Sequence, residues 1–385
     1  MANDSEKLEP RVILGAPYRP LPGIDQTKLI HKDRSILDPN AVPGLTDEQR
    51  WELDYALEMW NQASLPAINA GKKRDFHDPS SAAALRPEGY VEDDLFITRF
   101  DYEWTASVQE ANDKLNETIL KILADRPHAD RSQLPKLTGE NLWVWGGPTP
   151  FWGGTMAEDC SVKGADYFGA DNVVYVYGPT NDKMLGMHSK YQRVLCQVNA
   201  TCRTPGAQEG SSDEENAERL SLLSLKYPNI CGAMCDDVTT MFERVVLPDT
   251  FEARYRGLKK HNPNLKMYGV AYVHELYQKD FRLILPYTDV VNLWFWFRED
   301  ILEYDRHIAK CQEAFPGKPI IQGIFLQDYG RTCLGNPPEI LCYQLDKVRE
   351  YMAKGIVQGA IILGDREIKK WPESAEAVKN YLLNQ

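Results

Sequence analysis

The sequence predicts an α/β chain built as a (β/α)₈ TIM barrel behind an N-terminal extension, and three observations predict it. From residue 142 onward, eight short apolar runs recur without helical period, as strands buried on both faces do. Each run is followed by a segment long enough for a crossover helix, and together they fill about 240 residues, the span of one such barrel. Several runs also break off abruptly at carboxylates, at the strand ends where barrels and open α/β sheets hold their ligands. The expected division is 1–140 for the extension and 141–385 for the barrel. A doubly wound open sheet is the other arrangement that the same runs allow.

Residues 1–45 are rich in Pro and Gly and read as an extended arm. Thr46 to Gln49 matches a capping box, opening a helix with Trp51, Tyr55 and Met59 along one face. A polar, Ala-rich loop over 71–86 and a short strand at 95–100 come next. That strand is placed outside the barrel, since including it would give nine. Ser107 to Glu110 matches a second capping box, with Val108, Ala111, Leu115, Ile119 and Ile122 as its helix stripe; residues 127–139 read as a linker. The eight barrel strands begin near Leu142, Val173, Arg193, Ile230, Lys266, Val290, Pro319 and Ile356. Helix signals fall between them. Ser212 to Glu215 is a capping box, Pro248 stands near a helix start, Pro337 and Pro338 open a helix that Gly355 closes, and Ser374 can cap the last one.

Composition narrows the class of partner. The chain has 385 residues, 43% hydrophobic and 26% charged, which is ample for a core. A net charge of −12 and a pI of 5.2 argue against nucleic acid and against a membrane surface, both of which call for a basic patch. No stretch approaches the roughly 20 apolar residues of a membrane span. The first residues have no apolar core of the kind a signal peptide carries, so a cytoplasmic protein is expected. The eight cysteines include no CxxC and no zinc-finger spacing, and they read as free thiols in buried strands and helices. There is no HExxH, no HxH at strand one, and neither Gly146-Gly147 nor Gly153-Gly154 has the spacing of a phosphate motif, so no cofactor is expected.

The strand ends carry the chemistry. Strand four, from Ile230, ends on Asp236 and Asp237; strand five ends near Tyr272, His274 and Glu275; strand six near Trp296; strand seven near Asp328 and Tyr329; strand eight near Arg366 and Glu367. Strand three ends at Asn199, and strand one leads through Trp145 into a loop with Trp152. Carboxylates interleaved with aromatics suit a reaction through an oxocarbenium-like transition state. One carboxyl protonates the leaving oxygen and another acts as nucleophile or base on the opposite face. Asp236, Asp237, Glu275 and Asp328 are the catalytic candidates, with Glu275 as general acid and Asp328 as stabiliser or second base. Which of Asp236 and Asp237 faces inward stays open, because a shift of one residue swaps them. Trp145, Trp152, Tyr272, Trp296 and Tyr329 are candidates to stack on a sugar ring, and Asn199, His274 and Arg366 to bind its hydroxyls. The bland alternatives are that the Asp residues cap helices, the aromatics pack loops and His274 is structural.

An Asp at the end of strand four, a Glu at strand five and an Asp at strand seven resemble the layout of the α-amylase clan of glycoside hydrolases. The resemblance implies a nucleophile, a general acid/base and a transition-state stabiliser at those three places. The clan's Arg two residues before the nucleophile and its His before the strand-seven Asp are here Met234 and Gln327. The likeness is therefore to barrel glycosidases more broadly, over roughly the last 240 residues, and it implies a carbohydrate or glycoside substrate. Two other readings use the same strand ends. Asp236 or Asp237, His274 or Glu275, and Glu367 could hold Mg²⁺ or Mn²⁺ in a sugar isomerase or lyase. A barrel that binds carbohydrate without catalysis is the third.

Overall fold

The computed structural model describes residues 44–70, 105–148, 158–199, 212–238, 248–277, 279–332, 334–364 and 367–385. All but the last two residues of the arm expected over 1–45, the loop over 71–86, the strand at 95–100, Trp152 and Arg366 lie outside them. Eight strands pair in sequence order, all parallel, and the first pairs with the last to close the barrel. They are β1 (Leu142–Gly146), β2 (Asn172–Tyr175), β3 (Arg193–Gln197), β4 (Ile230–Cys235), β5 (Lys266–Tyr272), β6 (Val290–Trp294), β7 (Ile320–Phe325) and β8 (Val357–Leu363).

Alternate residues on each strand serve two cores. Trp143, Trp145, Val174, Leu195, Met234, Tyr268, Val270, Trp294, Ile321, Phe325 and Ile361 share one cluster inside the barrel. Their sequence neighbours Val144, Val173, Cys196, Ala233, Cys235, Met267, Val291, Ile324 and Ile362 join the cluster formed with the helices. Large and small side chains are matched across the interior: a Cβ on Gly323 would fall on the Trp294 ring.

The α-helices are α1 (Asp47–Ala70), α2 (Ala106–Ala124), α3 (Cys160–Phe168), α4 (Asp182–Met187), α5 (Asp213–Leu223), α6 (Pro248–Lys259), α7 (Tyr304–Ala314), α8 (Pro338–Ala353), α9 (Glu367–Lys370) and α10 (Pro372–Leu383). None of the described helices is long and apolar enough to cross a membrane. The capping boxes at Thr46 and Ser212 form: Thr46 and Gln49 exchange bonds of 3.2 Å, and Ser212 and Glu215 exchange bonds of 2.8 and 3.2 Å. Pro338 opens α8, and Gly355 follows its end at φ 71°, a backbone state glycine adopts freely.

Several expectations need correcting. The second N-cap is Thr105, not Ser107; its hydroxyl accepts from the Val108 N–H at 3.3 Å, starting α2 two residues earlier. Ser374 lies inside α10 and donates to the Asn336 carbonyl at 2.9 Å instead of capping. Among the described residues no α-helix lies between β5 and β6. Three 3₁₀ turns (Val273–Tyr277, Phe281–Leu283 and Leu285–Tyr287) replace it, and Pro286, with no N–H to give, interrupts the stretch. On α1 the buried face is Leu53, Ala56, Leu57 and Trp60; Trp51 and Tyr55 stack on each other, 68% and 51% exposed.

The segment expected as a linker is fastened to the barrel. Arg131 forms a bidentate pair with Asp346 at 2.7 and 2.8 Å, and Arg349 donates to the carbonyls of Arg131, Leu134 and Pro135 at 2.7 to 3.1 Å. The preceding helices dock on the segment that follows β6. Arg298 donates to Asn112 on α2 at 3.0 Å, Arg126 to the Leu302 carbonyl at 3.1 Å, and Arg50 on α1 to Glu303 at 3.1 Å.

Candidate active site

β4 delivers the central carboxylates. Met234 points into the barrel, so Asp236, two residues on, continues the inward row, while Cys235 faces the helices. Asn199, just beyond β3, clamps the Asp236 backbone. Its amide donates to the Asp236 carbonyl at 2.8 Å and its oxygen accepts the Asp236 N–H at 3.0 Å, all within the interior. Asn199, expected to grip a hydroxyl of the substrate, makes these two bonds to the chain that carries the acid. At Asp237 the backbone turns left-handed, φ 47°. This brings the second carboxylate back beside the first, where Tyr272 from β5 donates to its Oδ1 at 2.7 Å. Such a conformation costs an L-residue about 1–2 kcal/mol, least for Asp and Asn, and it appears at only one other described non-glycine, Tyr177 (φ 65°). Tyr177 stands at the end of β2, its N–H on Gln197 at 2.8 Å and its hydroxyl receiving the Trp145 indole N–H at 3.2 Å. Both strained residues thus sit on strand ends at the same mouth of the barrel, where strain is held by surrounding structure.

Burial sets the protonation of this group. The Asp236 carboxyl is pushed well above the usual carboxylate range, first by desolvation and then by the neighbouring Asp237. Tyr272 is raised as well, by burial and by the charges of Asp237, Asp236 and Glu275, so it keeps its proton and acts as a donor. Glu275 is held close by the 3₁₀ turn after β5, its carboxylate accepting the Tyr272 N–H at 3.4 Å. His274, buried against Tyr272 and Phe297, is pushed down to about 3 by desolvation and is neutral at neutral pH.

Across from β4, a second acid is held in the same way. Glu367, wholly buried at the start of α9 after β8, accepts from the Tyr329 hydroxyl at 2.6 Å. Tyr329 comes from the loop after β7 and is partly exposed. Trp296, beyond β6, stands between the two pairs, its ring 5.0 Å from Tyr272 and 5.4 Å from Tyr329. In a closed ring of eight strands β4 and β8 are diametrically opposed and β6 lies midway. The mouth is therefore laid out as acid and Tyr, Trp, then Tyr and acid.

Asp328 has other neighbours. Its Oδ2 accepts the N–H and hydroxyl of Thr332, both at 3.1 Å, and lies 3.6 Å from the Arg298 guanidinium. Burial outweighs their attraction on both sides: Asp328 is raised and Arg298 lowered. Glu299 and Arg331 pair beside them, fully buried. Of the expected site residues, the structure brings together Asp236, Asp237, Glu275, Tyr272, His274, Trp296 and Tyr329. It seats Trp145 deeper, edge-on to Trp294 at 5.7 Å, and ties Asp328 into the loop network. Among the described residues no three His, Cys, Asp or Glu side chains stand together as a metal ion requires. The pairing of Glu367 with Tyr329 and the turn at Tyr177 were not anticipated.

No protein-family model matches the sequence, and no curated protein matches it. Solved structures that align with it include the β-glucuronidase of Bacteroides uniformis, 15% identical over 59% of this chain, TM-score 0.40. The chain spans only 30% of that protein's length. A GH113 β-1,4-mannanase aligns at 10% identity over 65% of this chain and 100% of its own, TM-score 0.43. The xylanase–α-amylase inhibitor protein XAIP-I, solved with trehalose, aligns at 9% identity over 64% of this chain and 99% of its own, also at 0.43. Likeness at this level adds nothing to the barrel that strand pairing already establishes.

Proposed function

We propose that the protein hydrolyses glycosidic bonds with the carboxyl groups at the mouth of its barrel. The observation that carries this reading is the Asp236–Asp237 pair, where burial and a like charge favour a proton on Asp236 while Tyr272 supports the charge on Asp237. A carboxyl kept protonated by burial and a neighbouring charge is the general acid that glycoside cleavage needs. Asp236 gives its proton to the leaving oxygen. Asp237 and Glu275 face the positive charge that grows on the sugar ring, and Trp296, Tyr272 and Tyr329 offer aromatic faces to it. Asp328 fits a supporting role, holding the loops that carry Trp296 and Tyr329.

Turnover of a panel of aryl glycosides and oligosaccharides tests the reading. Activity should survive EDTA, and Asp236→Asn should lower kcat by about 10²- to 10⁴-fold, the usual worth of a positioned acid. Loss of activity on chelation with recovery on Mg²⁺ or Mn²⁺ would replace hydrolysis by the isomerase or lyase reading. Near-normal turnover in Asp236→Asn, Asp237→Asn and Glu275→Gln alike would remove the case for carboxylate catalysis.

A further inference from the structure

We infer that Tyr329 and Glu367 form the base arm of this site, set across the mouth from Asp236, and that the hydrolysis they support inverts the anomeric centre. The inference rests on the glycoside reading and deepens it. Cleavage through an oxocarbenium-like state needs one group on each face of the sugar ring. The acids that follow β4 and β5 stand on one side: Asp236 and Asp237 are adjacent in the chain, and Glu275 is joined to them through Tyr272. Among the described residues the carboxylate on the opposite wall, four strands away in either direction, is Glu367.

Its construction fits this role. Glu367 has no exposed surface, whereas Tyr329, whose hydroxyl it accepts at 2.6 Å, is partly exposed and packs on Trp296 at 5.4 Å and Phe325 at 4.5 Å. The carboxylate is thus set back, and the phenol hydroxyl is what it presents to the mouth. A nucleophilic carboxylate must itself reach the anomeric carbon, and the two groups of a retaining site stand only about 5–5.5 Å apart. A base that works behind a phenol, against an acid on the far wall, leaves room for a water between. That is the inverting arrangement, with separations of about 6.5–9.5 Å.

The step balances without any further reagent. The water oxygen bonds to the anomeric carbon as the bond from that carbon to the leaving oxygen breaks, and the leaving oxygen keeps the electron pair and takes the proton of Asp236. The proton lost by the water passes to the Tyr329 oxygen as the Tyr329 proton passes to Glu367. Exchange with solvent returns a proton to Asp236 and removes one from Glu367. Glu367 acts here through Tyr329, so both substitutions should strike the same step.

The test uses the full chain with whichever aryl glycoside of the panel it turns over best. Proton NMR of the first-formed sugar should show the anomer opposite to that of the substrate. Tyr329→Phe and Glu367→Gln should each lower kcat by about 10²-fold or more, with KM changed only a few-fold and the acidic limb of the pH–rate profile displaced in both. Melting temperatures serve as the folding control, and because either variant alone reports on the arm, misfolding of one leaves the other decisive. A retained anomer overturns the inference, as does turnover near the normal rate in either folded variant, while leaving hydrolysis itself in place. Absence of turnover on every glycoside by the unaltered protein would instead strike the proposed function, and this inference with it.

Discussion

Replacing Asn199 by Leu tests whether the site is built from the backbone outward. The side chain is close in volume, so the packing changes little, but both bonds to Asp236, at 2.8 and 3.0 Å, are lost. They leave a buried N–H and a buried carbonyl without that partner, at about 1–3 kcal/mol each and so about 2–6 kcal/mol together. Urea unfolding followed by circular dichroism should record a loss of that size, with the slope against urea unchanged. Turnover should fall as well, since the carboxyl of Asp236 is aimed only as well as its own backbone is held. If Asn199 instead bound substrate directly, as the sequence suggested, Asn199→Leu would raise KM and leave stability within about 0.5 kcal/mol, the range of substitutions away from buried features. That result would refute the clamp.

Asp236→Asn carries a second signature, in stability. A carboxyl whose pKa is raised on folding binds its proton more tightly in the folded chain, so the folded state loses stability as pH rises from the usual carboxylate range through the raised value. The Asn variant lacks this slope, and its unfolding free energy relative to the parent should grow with pH; a constant difference from about pH 4 to about pH 8 speaks against a raised Asp236. Asp328→Asn should cost stability more than turnover, because it leaves the Arg298 guanidinium buried beside a neutral group; a loss in kcat of about 10²-fold at unchanged stability would return Asp328 to the chemistry. Limited proteolysis should spare residues 127–139, which Arg131 and Arg349 tie to the barrel. Early cleavage there, with release of the helices before it, would contradict the docking.

The fold was legible because parallel strands covered on both faces need unbroken apolar runs. The predicted starts at Leu142, Arg193, Ile230, Lys266 and Val290 coincide with the strands, and the others differ by one residue. The helix faces were less legible. Trp51 and Tyr55 form an apolar stripe on paper, yet α1 has apolar residues on more than one side, and Leu53, Ala56, Leu57 and Trp60 are the ones buried, Trp60 against Val108 and Ala111 of α2. Hydrophobicity ranks neither face above the other; the shape of the partner surface does. Likewise, the stretch between β5 and β6 had the length for a helix, and only Pro286 hinted at the three short turns that occupy it.

The property that made the strands easy to find also hid the site. In an antiparallel sheet with one wet face, alternation would tell which of Asp236 and Asp237 turns inward. In β4 both faces are covered, Met234 by the barrel interior and Cys235 by the helices, so the run carries no alternation to read. The left-handed turn at Asp237 then breaks the strand alternation, and its carboxylate meets the Tyr272 hydroxyl. Side-chain partners across the mouth are a further step away. Tyr272 and Asp237 are 35 residues apart, and Tyr329 and Glu367 are 38 apart. Each of these tyrosines reads in sequence as an aromatic surface, with nothing local to mark its hydroxyl as the group that matters. Only closure of the ring, which sets β4 against β8 with β6 between, puts two separate Tyr–carboxylate contacts around one end of the barrel.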